Sequence, residues 1–219
     1  LQALSIFGIL STLLAAKLMI TKGPKYLFVL SYSTILITMI GYFATWAFHI
    51  QNAFWMLVII SICYQCARAI LEFTPWNVFP FIPDVDHIMT RGDRSGVYAA
   101  VMTFFRKSTG ALASWVAGIL LSAIGFQSKV MTDITNTPHN IQVGIALIFF
   151  IAPVILLALA LLMSLSFKLN RKTHEVLKRE ISRLSEGGLK QDVDPETKQI
   201  VEELTGHPYN TLWPDKPLF

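Results

Sequence analysis

The sequence predicts an all-α integral membrane fold, and three observations carry that prediction. Of 219 residues, 53% are hydrophobic and only 15% are charged, whereas soluble domains carry about a quarter charged. The mean hydropathy is +0.53. The charges collect in short connections and in a polar tail from Lys168 onward, leaving apolar stretches long enough to cross a bilayer. The chain therefore divides into a transmembrane bundle over 1–167 and a cytoplasmic tail over 168–219.

Five apolar segments follow one another. The first, Leu1–Ile20, has one charge, Lys17, near an end from which its long side chain can snorkel. "TKGPKY" then makes a turn with Lys22 and Lys25, and the second segment runs Tyr26–Ala47. The third, Ala53–Ile82, carries Arg68 and Glu72, and Pro75, Pro80 and Pro83 fall within and just beyond its end. Each proline removes a backbone donor, so a broken helix is expected there, of the kind that lines cavities in transporters. The fourth, Val97–Phe126, would make a helix of about 45 Å, yet it holds Arg106 and Lys107 about ten residues inside. The fifth is Ile141–Phe167.

Loop charge sets the expected orientation. "TKGPKY", "DVDHIMTRGDRSG" (Arg91, Arg94) and "KLNRKTHEVLKRE" are rich in cations, whereas "FHIQN" and "QSKVMTDITNTPHN" hold only Lys129. The positive-inside rule places the first three in the cytoplasm and the last two outside. Leu1 then lies outside, with no initiator Met and no signal-peptide pattern, so the chain reads as the C-terminal piece of a larger transporter. In the tail, Leu177, Ile181 and Leu184 share a helical face among cations, and Gly187-Gly188 ends that helix. A second helix is expected with Asp194 as N-cap, Pro195 at its first position and Gly206 beyond its end.

Composition also excludes chemistry. Cys63 and Cys66 form a C-x-x-C inside an apolar run without further ligands, so they read as small buried side chains rather than a redox or metal motif. The pI near 9.1 comes from lysine and arginine at membrane edges, not from a nucleic-acid patch. No cofactor and no resident metal are expected, and an enzyme would need a converging nucleophile, base or metal set that the sequence lacks.

Charges within a span raise a functional hypothesis. Arg68 and Glu72, four apart, share a face and can pair. They are either a self-neutralising packing device or a substrate-anion site in which Glu72 orients the arginine. Trp76 and Asn77 sit at the proline break, where an indole beside polar groups could stack on a sugar ring. Arg106 and Lys107 point about 100° apart, so one can face a cavity while the other finds a different partner. Thr103, Ser108, Thr109 and Gly110 surround them with hydroxyls and a small surface for helix contact.

"PDVDHIMTRGDRSGVYAAVMTFFRKSTGALASWVAGILLSAIGF" resembles the glycoside–pentoside–hexuronide:cation symporters, the melibiose-permease-like branch of the major facilitator superfamily. The resemblance rests on Asp84, Asp86, Arg91, Arg94 and Gly96, then Thr103, Phe104, Lys107, Gly110, Ala111, Leu112 and Ala113. "KLMITKGPKY", the last apolar segment and the "LNRKTHEVLKREI" tail add to it. It implies that the chain is helices eight to twelve of a twelve-helix fold. It further implies that Lys107 lies beside the cation and sugar sites, that Asp84, Asp86 and Arg94 join an inner gate, and that Trp76 borders the sugar cavity. Here "DVDHIMTRGDRSG" brings its aspartates closer than the family pattern. Arg68, Glu72 and Arg106 lie outside that pattern, and extra buried cations suit an anionic sugar, such as a uronide or sulfonated sugar.

The expected function is symport of a sugar with Na⁺ or H⁺ by alternating access, in a multi-pass membrane protein of the bacterial inner membrane. Its partners would be a small sugar, membrane lipid and the absent N-terminal half, and not nucleic acid. The rival reading is a membrane scaffold or sensor that transports nothing, against which stands the cost of placing Arg and Lys within spans.

Overall fold

Apolar runs become helices here, and turn chemistry decides where each stops. The computed structural model describes residues 5–48, 53–126 and 138–217. Among them the helices are α1 Ser5–Lys22, α2 Pro24–Ala47, α3 Phe54–Val78, α4 Ile82–Thr90, α5 Ser95–Ala123, α6 His139–Leu165, α7 Arg171–Ser185 and α8 Pro195–Thr205, with no strand among the described residues. The expected start at Leu1 and most of both outer connections, Lys129 included, lie outside the described residues.

Gly23, at φ +81°, turns the chain between α1 and α2, a backbone conformation that favours glycine. Pro24 then opens α2 at a position where the missing N–H costs nothing.

The expected break after Pro75 is only a tightening. Pro75 is absorbed inside α3, Pro80 sits in a 3-10 turn over Phe79–Phe81, and Pro83 lies in the first turn of α4. The last two positions tolerate a missing donor, so helical structure continues from Phe54 to Thr90. Asp84 and Asp86, expected in a loop, therefore stand on a helix.

By length and composition three helical stretches can cross a membrane: Pro24–Ala47, Phe54–Thr90 and Asn140–Leu165. α1 and α5 were also expected as spans and are not among these three. In α5, Arg106, Lys107 and a run of small and hydroxyl residues lower the hydropathy. α3 is central, packing on α1 and α2, and α2 packs on α6. Small residues allow the approach: Gly8 faces Ala69 and Gly41 faces Ile60. The Tyr42 and Ser61 hydroxyls, 2.7 Å apart, join α2 to α3. α5 stands apart, touching α4 and α6 with none of its residues buried.

A second core forms at the end of α4. Ile88, Leu177, Leu184, Val201, Tyr209, Leu212 and Trp213 bury one another, so the amphipathic tail finds its partner in the same chain. Asn170 caps α7, accepting from the backbone N–H groups of Lys172 and Thr173 while the Thr173 hydroxyl accepts from Asn170 N–H. Gly187 and Gly188 follow its end; a side chain at Gly188 would meet the Arg183 carbonyl at 2.7 Å. α8 begins at Asp194 and Pro195 and ends on left-handed Gly206, as its sequence predicts.

Candidate functional site

The α3 helix sets most of the candidate site. Tyr64, Gln65, Arg68 and Glu72 recur at helical spacing along it. Arg68 Nε donates to Glu72 Oε1 at 3.0 Å, and both side chains are more than half exposed. The pair is formed as its spacing predicts, yet it remains reachable. Arg68 and Gln65 border two recesses. One, of about 680 Å³, lies between α2, α3 and α6 and is walled by Met39, Tyr42, Tyr64, Phe149 and Phe150. The other, of about 270 Å³, lies between α1 and α3 beside Gly8, Thr12 and Glu72. An anionic group at Arg68 would thus meet an aromatic wall on one side and a polar recess on the other.

On α5 the two adjacent cations diverge. The Arg106 guanidinium stands 4.8 Å from the ring of Trp76, a cation–π contact that joins α5 to α3. Trp76 is half exposed. Lys107 is exposed and has no ion-pair partner among the described residues. Because α5 is continuous, Thr103, Lys107, Gly110 and Ser114 share one face. That polar stripe is opposite Phe105, Leu112 and Val116, so α5 has a polar side and an apolar side. Asn77 is not brought to either recess; its Nδ2 donates to the Phe73 carbonyl at 2.9 Å, within its own helix.

Of the four expected gate residues, Asp86 and Arg94 pair with each other, whereas Asp84 and Arg91 contact the tail. Asp86, 7% exposed, takes a forked contact from Arg94, with Nε donating at 2.8 Å. Asp84 pairs with His174 of α7 at 2.5 Å, and the imidazole stacks on Phe81. Arg91 donates to the Asp215 carbonyl at 2.7 Å and lies 5.2 Å from the Trp213 ring. Trp213 N–H in turn donates to the Ile88 carbonyl at 2.8 Å.

Sequence reasoning missed His174, Trp213 and the groove aromatics. Tyr64 and Gln65 could have been found one turn from Arg68, but the tail partners carry no local signal. Cys63 is exposed and Cys66 half-buried, both free, which corrects the expectation of buried side chains. Cys63 fails to bury because α3 turns that face away from its neighbours. No cluster of three or more His, Cys, Asp or Glu side chains suited to a metal occurs among the described residues.

In the tail, Glu180 is buried and takes two contacts from Arg183, at 2.9 and 2.7 Å, and one from the Tyr209 hydroxyl. Those bonds hold the Arg183 guanidinium above the usual arginine range. Burial first, then the bond to Glu180 and its charge, push Tyr209 up to about 12.

A family model described as MFS/sugar transport protein matches residues 2–171. The sodium-dependent lysophosphatidylcholine symporter 1 of Xenopus tropicalis is 21% identical over 139 residues, a match covering 62% of this chain and 26% of that protein. The chain thus aligns with about a quarter of that curated relative's length. No solved structure matches.

Proposed function

Because this chain belongs to the MFS/sugar transport protein family, we propose that it forms helices eight to twelve of a secondary active transporter coupling a sugar or sugar derivative to Na⁺ or H⁺. It is a multi-pass membrane protein. The remaining helices of the same transporter complete the cavity, and the two halves rock about a central site to give alternating access. The tail and the three basic connections face the cytoplasm of a bacterial inner membrane.

The observation that carries this reading is Arg68, held at 3.0 Å by Glu72 yet half exposed where two recesses meet. A fixed cation there offsets the cost of desolvating an anion, which favours a uronide or sulfonated sugar. Glu72 orients the guanidinium, and Trp76, about two turns from Arg68 along α3 and in contact with Arg106, offers a flat aromatic surface toward α5. Lys107 on the polar stripe of α5 compensates charge as the coupling cation enters. Asp86–Arg94 and Asp84–His174 hold the inner end closed.

The groove favours a second substrate class. Its wall of Met39, Tyr42, Tyr64, Phe149 and Phe150 is apolar enough for an acyl chain ending at Arg68, and the matched relative is by name a lysophosphatidylcholine symporter.

Uptake into right-side-out vesicles carrying the intact transporter separates these readings. Neutral glycoside, uronide, sulfonated sugar and lysophospholipid are each offered under imposed Na⁺ or H⁺ gradients. Gradient-driven uptake of an anionic sugar is expected, falling at least about tenfold in Arg68→Ala and Lys107→Ala, as loss of one charged contact of about 1.5–3 kcal/mol requires. Uptake of lysophospholipid alone would select the second class. No movement of any of the four would leave a scaffold or sensor.

A further inference from the structure

One end of the bundle gathers cations around a crevice that the transport reading does not use. The turn joining α1 to α2 and the connection joining α6 to α7 lie side by side there, with Gly23 approaching Asn170 closely enough that an added side chain would touch it. Between them is a crevice of about 300 Å³, lined by Met19 to Lys25 and by Phe167 to Lys172. Its lining holds Lys22, Lys25, Lys168, Arg171 and Lys172 and no carboxylate.

Three of these cations are partly engaged. Lys22 lies over the Tyr26 ring at 4.5 Å, Lys168 reaches Glu203 at 3.7 Å, and Arg171 donates to Glu175 at 3.1 Å. Lys25 and Lys172, both exposed, have no such partner among the described residues. α2 begins at the crevice with no side-chain cap while α1 ends there at Lys22, so the two helix ends oppose each other and the lysines set the field. The apolar part of the lining is Met19, Ile20, Phe167 and Leu169. The site therefore has a charged mouth and an apolar wall, at the level where the span Asn140–Leu165 ends.

We propose that this crevice binds a phosphate-bearing anion, and that its source is the headgroup of an anionic membrane lipid. A soluble phosphate would satisfy Lys25 and Lys172 but not the apolar wall. A phosphodiester lipid places its charge at the lysines and its glycerol and upper acyl carbons against Ile20 and Phe167. Basic pockets between membrane helices recognise headgroups through such a combination of charge and depth. The crevice joins residues about 145 positions apart, so an occupied site ties the membrane bundle to the start of the tail. The inference is independent of what the transporter carries.

The test uses the intact transporter purified in detergent, with dioctanoyl phosphatidylglycerol, dioctanoyl phosphatidylcholine and inorganic phosphate as probes, read by native mass spectrometry. Phosphatidylglycerol is expected to be retained in preference to phosphatidylcholine. Lys25→Gln with Lys172→Gln is expected to weaken that retention about 25-fold, about fivefold per cation. Lys198→Gln with Lys216→Gln, equal in charge change but outside the crevice lining, is expected to leave it intact, and melting temperature checks that each variant folds. If inorganic phosphate displaces phosphatidylglycerol at comparable concentration, the site is confirmed for the phosphate and its source is soluble. Equal retention of both lipids, or unchanged retention in the crevice variant, overturns the proposal.

Discussion

Glu180 shows what one buried carboxylate demands of its neighbours. It is 4% exposed, and a carboxylate taken out of water is costly unless it is paired; Arg183 and the Tyr209 hydroxyl supply the pairing. Tyr209 keeps its proton up to about 12 in the folded state, against about 10 for an unfolded tyrosine. The unfolded chain therefore loses that proton first, and folding is favoured less as pH rises. The contribution is complete below pH 10 and disappears as pH passes about 12. Tyrosinate absorbance should rise with a midpoint near 12 for Tyr209 while Trp213 fluorescence reports release of the tail. In Tyr209→Phe the Trp213 transition should no longer follow tyrosine ionisation; if it still did, another tyrosine would be responsible. At this scale the sequence was legible only where partners lie one turn apart. Arg68–Glu72 declared itself by spacing, whereas Tyr209 and Glu180, 29 positions apart, share no pattern.

Among elements, the short α4 links the two parts of the molecule. One end continues the apolar rod of α3, and the other is covered by α7, α8 and Trp213. The second tail helix could be read in advance because capping is local: Asp194 and Gly206 each act within one turn, whereas sequence reasoning missed the Asn170 cap of α7. The continuity of α3 into α4 could not, since three prolines in nine residues signal a break unless their positions relative to helix starts are known. Likewise, nothing local announces that Ile88 is Trp213's acceptor. Trp213 is buried at positive φ, +51°, which an aromatic residue adopts only where its surroundings compel it. Trp213→Ala should lower tail stability by about 3–5 kcal/mol, measured by denaturant titration, with proteolysis accelerating after residue 170. Cleavage in the bundle should not change. Equal acceleration in both parts would show that they unfold together.

Over the whole molecule, α1, α3, α2 and α6 form a packed layer and α5 stands largely bare. The family expectation of a partial bundle accounts for this, because helices that face a central cavity leave a flank for the other half. The five apolar segments gave the order and approximate limits of α1, α2, α3, α5 and α6, whereas α4 was expected as a loop. The sequence could not show which faces meet, because a lipid-facing and a helix-facing leucine have the same composition. The polar stripe on α5 gives the test. In the intact transporter with Cys63→Ser and Cys66→Ser, Thr103→Cys and Ser114→Cys should react with a water-soluble maleimide at least about tenfold faster than Phe105→Cys and Leu112→Cys, because the reactive thiolate needs water. Uniform labelling around the helix would mean that α5 borders no aqueous cavity.

The contact between Ile88 and Trp213 also sets an order of events during synthesis. Domains fold as their chain emerges from the ribosome, but the C-terminal end of α4 gains its cover only after another 125 residues have been made. Until then Ile88, and later Leu177 and Val201, present an unsealed apolar surface to chaperones and proteases. A chain cut short before Trp213 keeps that surface for its whole lifetime. Copies cut before Trp213 should therefore be cleared from the cell faster than copies that retain it.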